Sequence, residues 1–460
     1  MRPSTLLRLA APAITALAAL TASNAPAFDD HVFVVTGDGF SPGNCAALDV
    51  ASPWSSSVNL EPVGTSPAVR HFLDLHWIVD RSPAGSIQVV DPSTFDTVLS
   101  FDVGGTPQDI LVADAGSAWV TRSDSPWLLR VNPVTGAPLD SVDLGGFADS
   151  DGIPEMMTME RDGDRLFVQI QRVNFADQPP FLPGLLAVVD LSTRTVVDTD
   201  PGTPGVQAIA LAGLWPQHKM QVDAAARRLY VSSPGPALDV SGGIEEINLD
   251  TLMRTGFLVA EATPSIDLGG FVLVSPTKGY VIGHTDIVAS SHLSSFSRAD
   301  GTLNNEAFTG LFYYLDTIAY DAATQQVFFP DPSGGGIRVF DALTDAQLTT
   351  VAVPTGLAPV DLVVARSAAV DAPLPAPGNN RLSVAAPNPT ASATTIRLHR
   401  PAQQVRADIL DVRGTVVRTL EGPPLRWDGR RADGRPAPAG VYFYRLRGDV
   451  EDRGRVVILR

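Results

Sequence analysis

An internal repeat of short β-prone runs constrains the fold of this 460-residue chain more than any other feature. The first run of each unit carries an aromatic residue, and it recurs seven times, at Phe33, Trp77, Trp119, Phe167, Tyr230, Tyr280 and Phe328. A second run follows each of these and mostly ends in an acid or amide, at Asp49, Asp91, Asn132, Asp190, Asp250, Asp300 and Asp341. Two aligned series with the same count indicate repeated copies of one supersecondary unit.

Each unit contains two further strands. Turn-forming residues such as Pro133-Val134-Thr135-Gly136 lead from the second run to a third strand. A fourth strand precedes the aromatic run in every unit except the first, and the missing copy lies at the far end of the repeats, at Pro359–Ala365. Four antiparallel strands repeated every roughly 40 to 50 residues are typical of β-propeller blades.

These patterns predict an all-β fold: a seven-bladed β-propeller over residues 28–366, in which the displaced last strand closes the first blade. Such closure would leave no free sheet edge between the first and last blades. Six or eight blades are alternatives, because the long spacing between Phe167 and Tyr230 could contain an extra hairpin.

The N-terminus predicts export. Arg2 and Arg8 flank the start of an apolar stretch, Leu9–Leu20, and Ala25-Pro26-Ala27 is a small-x-small cleavage site. We therefore expect a signal peptide over residues 1–27 and a mature protein that begins at Phe28. The alternative is an N-terminal membrane anchor, for which the stretch falls short of the ~20 residues that span a bilayer.

Charge divides the rest of the chain. Residues 28–380 hold 42 acids and 16 bases, whereas residues 381–460 hold 8 acids and 15 bases. The sign changes at a Pro/Ala-rich stretch, residues 367–380, which we interpret as a linker. An acidic surface repels phosphate backbones, so we expect no nucleic-acid partner. The single cysteine, Cys45, permits no intramolecular disulfide and is expected to be buried.

The repeat region resembles the YVTN-type seven-bladed propellers. The best copy is Gly85–Thr121, in which Val103, Gly104, Pro107 and Ile110 match the family pattern V-G-x-x-P-x-x-I. Residues 353–364 match it again, whereas the middle units depart from it, notably at residues 146–183. The resemblance covers about residues 30–366 and implies the fold without specifying an activity.

The tail, residues 381–460, resembles the FlgD-type immunoglobulin-like domain and the type A C-terminal sorting domain of the type IX secretion system. The motifs are, in order, Pro387-Asn388-Pro389-Thr390, Trp427-Asp428-Gly429-Arg430 and the run Pro438–Arg447. Alternating strands and turns independently predict a small antiparallel sandwich with Trp427 in its core. We expect removal of the terminal run Val456–Arg460 to unpair a sheet edge and to expose Val441, Phe443 and Leu446 or their partners. The resemblance implies a contact with the secretion machinery.

Candidate chemistry is sparse. The titratable candidates are His71, His76, His218, His284, His292 and the run Asp149-Ser150-Asp151-Gly152. His76 and Asp74 could share a metal with His284 at the channel mouth, but no two histidines have a ligand-like spacing. The Asp149–Gly152 run resembles part of a calcium loop yet lacks the spacing and closing Glu of an EF-hand. We therefore assign no catalytic residues, metal or cofactor, and leave the ligand-binding residues open.

Two function classes follow. The first is a secreted or cell-surface, non-catalytic propeller that binds a protein or glycan, because propellers present loops on a rigid face. An insertion at residues 174–184 places Phe175 and Phe181 on a loop that could contact a partner or pack across the blade. The second is a propeller hydrolase or lyase with a metal or histidine at the central channel. Acids and histidines converging at one channel mouth would favour the second class.

Overall fold

The computed structural model describes two stretches of the chain. The first is residues 30–366, except 178, 236–238, 263–264, 287–289 and 311–316. The second is residues 383–459, except 387, 389, 391–392, 399–404, 412–414, 423 and 449–451. The predicted signal peptide and linker lie outside the described residues.

The first stretch folds into seven antiparallel sheets, which we number in chain order. Sheet 1 contains β1 (Asp30–Thr36), β2 (Gly43–Asp49), β3 (Ser56–Ser57), β4 (Pro62–Val63) and β30 (Pro359–Arg366). Sheet 2 contains β5 (Pro67–Phe72), β6 (Leu75–Asp80), β7 (Ser86–Val90) and β8 (Thr97–Asp102). Sheet 3 contains β9 (Pro107–Asp114), β10 (Ser117–Arg122), β11 (Trp127–Val131) and β12 (Pro138–Asp143), and a 3-10 turn follows at Gly145–Phe147.

The remaining four sheets continue the same order. Sheet 4 contains β13 (Met156–Asp162), β14 (Arg165–Ile170), β15 (Leu185–Asp190), β16 (Thr195–Val196) and β17 (Ile209–Ala210). Sheet 5 contains β18 (Gln221–Asp223), β19 (Arg228–Ser233), β20 (Gly243–Asn248) and β21 (Met253–Ala260). Sheet 6 contains β22 (Asp267–Leu273), β23 (Lys278–Asp286), β24 (Ser290–Ser297) and β25 (Leu303–Gly310). Sheet 7 contains β26 (Ala319–Asp321), β27 (Gln326–Asp331), β28 (Gly336–Asp341) and β29 (Val353–Pro354).

Each sheet has one edge strand that lies beside the corresponding strand of a neighbouring sheet. We call these the first strands, and they line the axis of the arrangement: β30, β5, β9, β13, β18, β22 and β26. Strand β30 contacts β5, β5 contacts β9, β9 contacts β13 and β13 contacts β18, while β22 contacts β26 and β26 contacts β30. Because neighbouring strands are antiparallel, successive connections alternate between the two ends of each sheet. We call the end at which these first strands begin the front face and the opposite end the back face. The arrangement is consistent with a β-propeller.

The displaced last strand joins the first sheet. Strand β30 pairs with β1 in antiparallel register, with Phe33 opposite Val363 and His31 opposite Ala365. Arg366 at the end of β30 reinforces the junction, since its Nη1 lies 2.7 Å from Asp30 Oδ2 and its Nε lies 2.9 Å from Asp321 Oδ1. The pairing is the one that the position of Pro359–Ala365 in the repeat predicts, and it covers an edge of sheet 1.

The recurrent aromatic residues form the core between adjacent sheets. All seven are buried, as is Cys45, whose thiol pKa is raised by burial. Trp77 of sheet 2 packs with Val112 and Val120 of sheet 3, and Trp119 of sheet 3 packs with Met159 and Leu166 of sheet 4. One large ring per unit therefore fills the gap to the next sheet, which explains why the sequence repeats an aromatic residue.

The second stretch forms two further sheets. Its strands are β31 (Ser383–Ala386), β32 (Thr394–Leu398), β33 (Val405–Leu410), β34 (Val416–Glu421), β35 (Leu425–Trp427), β36 (Gly440–Gly448) and β37 (Asp452–Ile458). One sheet has the order β31-β32-β35 and the other the order β34-β33-β36-β37.

Trp427 lies in the tail's core, as predicted, with its ring 5.0 Å from Tyr442 and its Nε1–H donated to the Arg430 carbonyl. The expectation for Phe443 is wrong. Tyr442, Tyr444 and Leu446 point inward on β36, so Phe443 points outward and is exposed.

No helix within the described ranges is both long and apolar enough to cross a membrane.

Candidate functional site at the front face

A small cavity lies on the axis at the front face, where the first strands begin. Its lining includes Val69 of β5, Asp109 of β9, Thr158 of β13, Asp361 of β30, and His218 and Lys219 just before β18.

Two aspartates of the cavity occupy equivalent positions in their strands. Asp109 and Asp361 are each the third residue of a Pro-x-Asp start. Asp109 Oδ2 accepts the Met159 N–H of the next sheet at 2.8 Å, and Asp361 Oδ2 accepts the Val69 N–H of the next sheet at 2.9 Å. These carboxylates therefore connect adjacent first strands around the axis.

Each aspartate also pairs with a cation. Arg70 makes a two-pronged contact with Asp109, with Nε–Oδ1 at 2.9 Å and Nη2–Oδ2 at 2.7 Å. Lys219 Nζ lies 2.7 Å from Asp361 Oδ1 and donates to the Val69 carbonyl at 3.0 Å. Burial opposes ionisation of Asp361, but Lys219 and the Val69 N–H lower its pKa on balance. Burial also lowers the pKa of Lys219, an effect that Asp361 partly offsets.

The predicted histidine candidates do not gather at this cavity. His218 lines it, and the His218 carbonyl accepts bonds from Thr158 Oγ1 at 2.9 Å and Gln169 Nε2 at 3.1 Å. His284 Nδ1 lies 2.8 Å from Ser291 Oγ in sheet 6, and His292 Nδ1 lies 3.1 Å from Glu306 in the same sheet. The structure therefore does not bring His76, Asp74 and His284 together as a metal site.

Instead, His76 belongs to an imidazole cluster near the back face. Its Nε2 lies 2.8 Å from His31 Nε2, and its Nδ1 lies 3.3 Å from His71 Nδ1. The His76 ring stacks on Phe33 with the centroids 3.8 Å apart. Burial lowers the pKa of His71 to about 4 and that of His76 well below its ordinary value. Sequence reasoning missed the cluster, although the hairpin β5–β6 places His71 directly opposite His76.

Sheet 4 carries a carboxylate cluster on the front face. Oxygens of Asp149, Asp151 and Glu155 lie within 4.8 Å of one another in the loop that precedes β13. Burial and the two neighbouring aspartates raise the pKa of Glu155 to about 7. The sequence singled out the two aspartates but not Glu155. Three carboxylates are fewer than the six to eight oxygens that calcium prefers, and Glu155 Oε2 already accepts the Val173 N–H at 3.0 Å.

The insertion at residues 174–184 lies beside this cluster, and its two phenylalanines differ: one packs across the sheet and the other is exposed. Phe181 packs on Trp215 with the ring centroids 5.2 Å apart, so it joins the insertion to the loop before sheet 5. Phe175 lies edge-on to Phe181 and is 75% exposed. Phe40, in the β1–β2 loop of the same face, is 91% exposed. Within the described part of the front face, Phe40 and Phe175 are thus strongly exposed aromatic rings.

No protein-family model and no curated protein matches the sequence. Among solved structures, a putative 6-phosphogluconolactonase from Bacteroides fragilis is similar, with a TM-score of 0.52, 11% identity, and coverage of 73% of this chain and 98% of that one. The periplasmic gluconolactonase PpgL from Pseudomonas aeruginosa is similar with a TM-score of 0.51, 14% identity and the same coverage, 73% and 98%.

PorZ, a bacterial surface component of the type IX secretion system of Porphyromonas gingivalis, is similar with a TM-score of 0.44 and 13% identity over 90% of this chain and 63% of that one. That similarity is too low to support an assignment. The two lactonase similarities show the fold alone, a largely β architecture consistent with a β-propeller. The YVTN and sorting-domain resemblances remain predictions.

Proposed function

We propose that this protein is a secreted or cell-surface binding propeller without a reaction centre at its axis. In this proposal the seven sheets of residues 30–366 are seven blades, supported by the contacts between neighbouring first strands, by the apolar cluster that joins sheets 5 and 6, and by the β1–β30 pairing. The tail is an immunoglobulin-like module that directs export, supported by its two-sheet arrangement and its sequence motifs.

The proposal rests on the contacts of the two axial aspartates, which are already fully engaged with neighbouring protein groups. Asp109 and Asp361 each accept a backbone N–H from the next sheet and each pair with a cation. A general base or a metal ligand needs a lone pair that the substrate or the ion can reach, and here those lone pairs hold neighbouring sheets together. A structural role of the axial acids explains both kinds of contact.

The ligand is best sought at the loops of the front face. Phe40 and Phe175 offer exposed rings, and Asp149, Asp151 and Asp177 lie close to the second of these in the two loops of sheet 4. Aromatic rings beside carboxylates suit lysine and arginine side chains, through cation–π contacts and ion pairs. Residues 28–380 also carry 26 more acids than bases. We therefore favour a protein ligand with a basic segment over a glycan.

One observation supports the alternative function, a hydrolase or lyase at the central channel. Asp109, Asp361 and Lys219 do converge on one cavity, and convergence of acids at the channel mouth is what that alternative requires. The alternative predicts that Asp109→Asn or Asp361→Asn abolishes an activity, for example lactone hydrolysis, without unfolding the protein. The binding proposal predicts that such variants lose stability.

Affinity capture with the mature protein tests the proposal. We expect immobilised wild-type protein to retain a basic protein partner in a salt-sensitive manner, and the double variant Phe40→Ser/Phe175→Ser to lose it. Leu343→Ser is the matched control, because Leu343 is an exposed apolar residue on the back face. Equal retention by all three proteins, or binding only to a glycan array, would refute a basic protein ligand at this face.

A further inference from the structure

The end of the tail is apolar on both sides. In the run Val456–Leu459, Val456 and Ile458 point into the core of the tail with Tyr442 and Trp427. Val457 and Leu459 point the other way, yet they are buried as deeply as the first pair. The face of a strand that points away from the core normally carries polar residues. The burial of Val457 and Leu459 on that face therefore requires a second surface that packs against them.

That partner surface is on the repeat region. Val457 and Leu459 form one buried cluster with Ala115, against which Leu73, Val98 and Val134 also pack. Leu73 lies in the β5–β6 turn, Ala115 in the β9–β10 turn and Val134 in the β11–β12 turn, while Val98 is near the start of β8. We call Leu73, Val98, Ala115 and Val134 the back-face patch, because all four lie at the back face of sheets 2 and 3.

A repeated turn provides an internal comparison. Val134 and Leu343 occupy the same position in equivalent turns, since each donates its N–H to the side-chain oxygen two residues earlier, Asn132 Oδ1 or Asp341 Oδ1. Leu343 is 69% exposed, whereas Val134 is partly buried against Val457 and Leu459. The burial of Val134 is therefore caused by the tail and is not a general property of these turns.

The backbone N–H and carbonyl groups on the outer edge of the terminal strand also have hydrogen-bond partners. Thr390 N–H donates to the Val457 carbonyl at 2.8 Å and the Leu459 N–H donates to the Thr390 carbonyl at 2.8 Å. Asn388 Oδ1 accepts the Val457 N–H at 2.7 Å. Asn388 and Thr390 of the predicted motif therefore bond to the outer edge of β37, to which another strand could otherwise pair.

We propose that the back-face patch is the docking site for the protein's own C-terminal strand, and that docking conceals the end of the chain from any partner that reads it. Both faces and the outer edge of the strand are covered in the docked arrangement. A partner must then separate the tail from sheets 2 and 3 before it can bind the terminal residues. The inference stands whether or not the tail acts as a sorting signal.

Thiol labelling of the full mature chain tests the docking. Cys45 is the chain's single cysteine and is buried, so a cysteine introduced elsewhere reports on its own site. We expect Leu459→Cys to react with a maleimide at least about tenfold more slowly than Val416→Cys, because labelling of the buried site requires undocking. Val416 is the matched tail position, since it is 47% exposed. Equal rates would overturn the proposal.

A second pair of variants separates docking from folding. In the Leu459→Cys background, Val134→Glu should accelerate labelling toward the Val416→Cys rate, whereas Leu343→Glu in the equivalent turn should leave it slow. In the chain without added cysteines, Val134→Glu should increase the radius of gyration measured by X-ray scattering, with an unchanged far-UV circular dichroism spectrum. If Val134→Glu changes neither the labelling rate nor the radius of gyration, the patch is not the docking site.

Discussion

Acidification should destabilise the protein through the imidazole cluster. The pKa of His71 is about 4 in the folded protein against an ordinary 6.5, because burial penalises its charged form. Between these values the unfolded chain binds a proton that the folded chain does not. The stability contributed by neutral His71 is therefore complete above pH 6.5 and is lost as the pH falls toward 4. From pH 7 to pH 5 the loss amounts to about 2 kcal/mol.

Three buried or partly buried glutamates act in the opposite direction, so the wild-type curve alone does not isolate this effect. Burial raises the pKa of Glu160, and it raises the pKa of Glu155 and of Glu261 to about 7, so each adds stability as the pH falls from its folded pKa toward 4.5. The informative quantity is the difference between wild type and His71→Gln, in which the glutamates are unchanged. Urea unfolding at pH 7 and pH 5 gives the free energy of unfolding for both proteins.

We expect wild type to lose about 2 kcal/mol more than His71→Gln between pH 7 and pH 5. Leu343→Ser is the control, because it changes an exposed residue of the back face without a titratable group, and it should behave as wild type. If His71→Gln and wild type change by the same amount, the buried neutral imidazole is not the cause and the reasoning fails.

Three further predictions concern the axis, the closure and the tail. Asp361→Asn should cost about 1.5 to 3 kcal/mol in thermal or chemical unfolding, because it leaves the partly buried Lys219 without its charged partner. The exposed turn variant Asp300→Asn should cost less than about 1 kcal/mol, and equal costs would contradict the structural role of the axial acid. A chain ending at Arg366 should melt cooperatively, whereas one ending at Thr355 should aggregate in light-scattering assays because β1 loses its partner strand; comparable behaviour would refute the closure. Deletion of residues 456–460 should prevent surface delivery in a host with a type IX system and expose the back-face patch to apolar dyes; surface protease accessibility equal to that of the intact protein would show that the tail is an ordinary structural module.

The strands of the repeat were predictable because their signal is local. Each aromatic run and each acid-ended run forms a strand whose hydrogen-bond partner lies a short distance along the chain. The recurring Asp or Asn that ends a strand caps the following turn, as Asp91 does for the Ser93 N–H. The all-β architecture follows from these local rules. Even the long-range pairing of β30 was predictable, because one copy of the strand was missing at the start and present at the end.

The contacts between sheets were not predictable from such rules. His31 and His76 are 45 residues apart and belong to different sheets, so no spacing along the chain signals that their nitrogens meet. Glu155 joins the carboxylate cluster through the path of a loop, for which no periodic pattern exists. In β36, both alternating sets of residues contain aromatic rings, and the inward face could not be chosen by hydrophobicity. This ambiguity explains the error at Phe443.

The β1–β30 pairing has a consequence for the order of folding. Asp30 and Arg366, which form an ion pair at the junction, are separated by 336 positions. A chain synthesised or translocated from its N-terminus therefore presents β1 early. Strand β1 can pair with β2 at once, but it must wait for nearly the whole repeat region before its second partner, β30, arrives. Sheets 2 to 7 can form from segments that are close together in the chain. Pairing of β1 with β30 has the additional entropic cost of closing a loop that contains nearly the whole repeat region. Sheet 1 is thus the last to complete, and a ribosome or export channel that still holds residue 366 also holds the ring open.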